Sequence, residues 1–93
     1  MSRETANKKS ILFRMRLYFA MMPDPEYVFG LEAMSAASWG RTTVSHLIKE
    51  VENSDTDPAL IVSEFIKKAD RQSGMIFRVA YETAVDLYDY VFL

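Results

Sequence analysis

Towards the C-terminus, apolar or small side chains recur at Ile76, Val79, Ala80, Thr83, Ala84, Leu87, Tyr88 and Val91, while Arg78, Glu82, Asp86 and Asp89 fall on the opposite side. Steps of three and four residues are the signature of an amphipathic helix, and the pattern predicts one over 75–92. A second stripe, Ile61, Val62, Phe65, Ile66 and Ala69, predicts a helix over 58–72. Asp57 before Pro58 reads as an N-cap and first-turn proline. Lys67, Lys68 and Arg71 sit where the helix dipole is negative, and Gly74 is expected to take the left-handed conformation beyond the helix end.

The same Asp-Pro signal at Asp24 and Pro25 predicts a helix running to about Ser38, with Gly30, Ala33, Ser35, Ala36 and Ala37 small enough for a neighbour to approach closely. Val44, Leu47, Ile48 and Val51 repeat helical spacing over 42–52. Gly40 lies between, so 25–52 reads as two helices or as one long helix kinked at the glycine. Residues 10–22 fit two patterns. Phe13, Met15, Leu17 and Phe19 alternate as in a strand, whereas Ile11, Met15, Tyr18, Phe19 and Met22 follow a helix. A lone strand would have no partner, so the helix is expected. The fold expected is therefore all-α: one domain over 10–93, a bundle of four to five helices, preceded by a flexible basic arm over 1–9.

Composition sharpens this picture. Hydrophobic residues make up 49% of the 93 residues and aromatic residues 13%, a large apolar share for so small a domain to bury. There is no cysteine, so neither disulfides nor thiolate chemistry arise, and a cytoplasmic location is expected. The apolar run Ile11 to Met22 is short for a bilayer and carries Arg14 and Arg16, so neither a membrane span nor a signal peptide is expected. Charge is uneven. Residues 1–22 hold five basic residues against Glu4, a balance of +4 within a chain of net −2, so a basic start precedes an acidic body.

Catalytic chemistry finds little support. His46 is the single histidine, and its neighbour Ser45 points about 100° away on a helix, so the two do not form a nucleophile and base. Asn53, Asp55, Asp57 and Glu64 fall at positions of a calcium loop, but Pro58 stands where that loop needs glycine, and a capped inter-helix connection explains the same residues. No enzyme activity, metal or cofactor is expected.

Three kinds of partner remain. The segment 31–49 resembles a helix-turn-helix unit: Ala33, Ala37, Trp39, Val44 and Leu47 have the spacing of its buried positions, and Thr43-Val44-Ser45 is similar to the start of a recognition helix. The resemblance implies a groove-reading face of Thr42, Ser45, His46 and Lys49, with Arg41 on a phosphate. Ser38 in place of the usual turn glycine, Glu50, Glu52 and the acidic body oppose it. A small anionic ligand at a subunit boundary, gripped by Arg14, Arg16 or Arg41, is a second possibility. The leading expectation is a non-enzymatic module that oligomerises or docks on a protein, as accessory regulators and phage-type inhibitors of this size do. Its interface is expected on the last helix, where Phe77, Tyr81, Val85, Tyr88 and Phe92 form an apolar flank beside the core stripe.

Overall fold

The computed structural model describes residues 3–93, with side chains from Asn7 onward, as four α-helices and no strand. α1 spans Arg3–Met21, α2 Leu31–Glu52, α3 Pro58–Asp70 and α4 Met75–Phe92, with one 3₁₀ turn at Pro25–Tyr27 between α1 and α2. Of the arm expected over 1–9, residues 1 and 2 lie outside the described residues, and α1 runs through Lys8 and Lys9 without a break at Ser10. The helical reading of 10–22 holds: Leu12 and Met15 are buried, and Ile11, Tyr18, Phe19 and Met22 pack against the core. Phe13 and Leu17, which a strand would have placed with Met15, face solvent.

The expected helix over 25–38 is corrected. Asp24 does cap, its carboxylate accepting from the Glu26 N–H at 3.0 Å, but only one 3₁₀ turn follows. Val28 is extended and Gly30 has φ +97°, so the chain reverses there before entering α2. From Leu31 the helix then continues unbroken through Gly40 to Glu52. An interior glycine costs about 1 kcal/mol of helix propensity. Packing explains its presence, because a Cβ at position 40 would stand 3.3 Å from Met22 Cε and 3.3 Å from Thr83 Oγ1. The missing side chain lets α1 and α4 close on α2.

Gly74 is also corrected. α3 ends through Arg71, whose N–H donates to the Lys68 carbonyl at 3.3 Å, while Gly74 precedes α4 with φ +114° and ψ 160°. The positive φ is as expected, but the conformation is an extended one that only glycine adopts readily, not the helical left-handed cap. The core unites Leu12 and Met15 of α1, Val44, Leu47, Ile48 and Val51 of α2, Val62 of α3, and Ala84, Leu87 and Val91 of α4.

Candidate partner-binding groove

Three of the basic residues of α1, Lys8, Arg14 and Arg16, are tied to other parts of the fold. Lys8 Nζ donates to the carbonyls of Ser54 at 2.9 Å and Glu52 at 3.3 Å, closing the C-terminal end of α2. Arg14 donates to the Val91 carbonyl at 3.1 Å, at the corresponding end of α4. Arg16 pairs with the Glu52 carboxylate at 3.3 Å. A cation at a helix C-terminus meets the negative end of the dipole. Arg14 and Arg16 therefore serve packing between helices and do not meet Arg41.

Arg41 lies elsewhere, its guanidinium 4.2 Å from the centre of the Phe19 ring and donating to the Met22 carbonyl at 3.4 Å. With Thr42, Ser45, His46 and Lys49 it lines a shallow depression of about 370 Å³ on the outer face of α2. The structure thus gathers the polar residues expected of a recognition helix. It does not supply the turn before them, because 31–52 is one helix, and Trp39, expected among the buried positions, faces solvent.

Sharing Thr42 and His46 with that depression, a groove of about 710 Å³ opens between α2, α3 and the start of α4. Trp39, Leu60, Ile76 and Phe77 line it, each between 41 and 48% exposed, and Phe65 lies against His46 with ring centres 6.0 Å apart. Thr43, on the same wall, is buried and satisfied, its hydroxyl donating to the Trp39 carbonyl at 2.9 Å. His46 faces Glu50 at 3.7 Å, and Glu64 faces Lys67 at 3.5 Å. Large apolar side chains around a concave surface, with polar groups such as Glu50, Glu64, Lys68 and Gln72 among them, offer a partner both anchoring sites and polar contacts.

Of the flank expected on α4, Phe77 alone lines this groove. Tyr88 and Phe92 pack on the protein's own core with ring centres 4.9 Å apart, and Tyr81 and Val85 are half-buried. Sequence reasoning missed Leu60 and assigned Ile76 to the core. Leu60 stands outside the Ile61–Ala69 stripe, which was the available signal. The residues of the calcium-like pattern act locally: Asp57 accepts from the Ala59 N–H at 3.2 Å and Asn53 donates to the Lys49 carbonyl at 2.9 Å. Among the described residues no helix is long and apolar enough to cross a membrane. Compared with family models, curated proteins and solved structures, the chain matches none.

Proposed function

We propose that this chain is a cytoplasmic, non-enzymatic protein-binding module whose α2–α3–α4 groove receives an apolar segment of a protein partner. The observation that carries the reading is the groove itself, with Trp39, Leu60, Ile76 and Phe77 all substantially in solvent on one concave surface. Burying a large apolar side chain contributes roughly 1.5–3 kcal/mol, so a partner that covers several gains more than scattered surface residues would give. Aromatic anchors in such pockets dominate binding energy in protein interfaces.

Trp39 is the single tryptophan and reports on the groove without labelling. Peptides selected from a displayed random library on the immobilised protein are expected to carry aromatic or aliphatic anchors and to shift Trp39 emission to the blue. Their affinity should fall at least tenfold against Phe77→Glu. A selection that enriches nothing, or peptides indifferent to Phe77→Glu, would overturn the reading.

A further inference from the structure

The turn between α1 and α2, with the first residue of α2, holds three large apolar side chains almost wholly in water: Tyr27 is 80%, Phe29 97% and Leu31 85% exposed. We propose that this segment is a knob that seats in the α2–α3–α4 groove of a second copy of the chain, giving a two-fold homodimer. The inference rests on reading that groove as a protein-binding site.

The backbone on both sides of Phe29 is hydrogen-bonded. Asp24 accepts from Glu26, the Tyr27 N–H donates to the Asp24 carbonyl at 2.9 Å, and the Met34 N–H donates to the Gly30 carbonyl at 2.9 Å. Docking then orders chiefly the side chains and less of the backbone. The knob's exposure also shows that it does not occupy the groove of its own chain.

Charge points to a second copy. Residues 24–32 hold Asp24, Glu26 and Glu32 and no basic residue. The receiving surface offers Lys68 in the groove and Arg41 and Lys49 in the adjoining depression. Among the described residues none of these three has a carboxylate within ion-pair distance, whereas the groove's own Glu50 and Glu64 face His46 and Lys67. An acidic, aromatic knob therefore finds apolar side chains in the groove and three unpaired cations at Lys68, Arg41 and Lys49, and its carboxylates must lie towards these and away from Glu50 and Glu64.

Symmetry allows both contacts at once. The knob leads into the N-terminus of α2, and the groove uses the same helix from Trp39 onward. Two α2 helices packed antiparallel about Ser38 and Trp39 set Leu31 of each copy beside His46 of the other, two positions about 22 Å apart along one helix. Ser35, Ser38 and Thr42 are exposed on α2 in the stretch between, and being small they let the helices approach. Each copy gives a knob and receives one, so the assembly closes as a dimer.

Light scattering after size-exclusion chromatography over a dilution series should give a dimer mass that falls to monomer on dilution. Phe29→Asp and Leu60→Glu should each weaken dimerisation at least tenfold with helical circular dichroism retained, the first removing the knob and the second the part of the groove beside His46 that receives it. Mixing the two variants should restore association, because the intact knob of one meets the intact groove of the other. A monomer at millimolar concentration, or a dimer that survives Phe29→Asp, overturns the proposal. So does a mixture that associates no better than its components. If library peptides still occupy the groove in that case, the protein-binding reading stands and only the homotypic occupant fails.

Discussion

At position 74 the backbone stands at φ +114° and ψ 160° with nothing within 4 Å of where a Cβ would point. Space is therefore not the constraint there; the dihedral angles are. Gly74→Ala is expected to cost about 1–3 kcal/mol, read as a lower urea midpoint with unchanged slope. Tyr18 offers a residue-scale test of another kind. Burial, and secondarily the Asp86 carboxylate, raise its phenol above the ordinary 10.0. A folded-state pKa raised above the unfolded value means the unfolded chain loses its proton first. The resulting stability is complete below the ordinary value and is lost as pH rises through the raised one. Tyr18→Phe should flatten the alkaline fall in stability, measured by urea unfolding from neutral pH upward; an identical fall in both proteins would remove this account.

Among the elements, α1 does more than cover the core, since its cations finish helices whose ends lie far from them in sequence. Lys8 meets the end of α2 and Arg14 the end of α4. The Arg14 contact is partly buried and charge-assisted, so Arg14→Gln should destabilise by about 1 kcal/mol. Arg16 and Glu52 are each about half exposed, where water and salt screen the pair. Arg16→Gln should therefore shift stability by no more than about 0.5 kcal/mol. Thermal melts of the two variants side by side decide between a basic segment that closes helices and one that merely solvates an edge; equal losses would contradict the distinction.

For the whole molecule, the continuity of α2 bears on the nucleic-acid alternative. Thr42, Ser45, His46 and Lys49 do share a face, but no preceding helix crosses before it at a turn, and Glu50 and Glu52 close its far end. Fluorescence anisotropy with random duplex at low salt is expected to show no binding at tens of micromolar protein. Salt-sensitive binding weakened by Lys49→Ala would instead support a groove-reading face. Periodicity alone was enough to place α3, α4 and the second half of α2, because their apolar stripes match one side of a helix and their buried hydrophobic residues are those of the stripes. The Asp-Pro caps were likewise legible, since capping is settled within a few residues of chain. Local signals could not say how far the helix begun at Pro25 would run, because its end depends on where the chain must reverse to pack α2 against α1. Nor could they show that Gly40 is an interior position, since its conformational cost is offset by Met22 and Thr83, distant in sequence. The groove and the Tyr27–Leu31 knob stayed hidden for the same reason. Which apolar side chains remain in water is decided only after helix packing has used up the others, and that selection belongs to the tertiary structure.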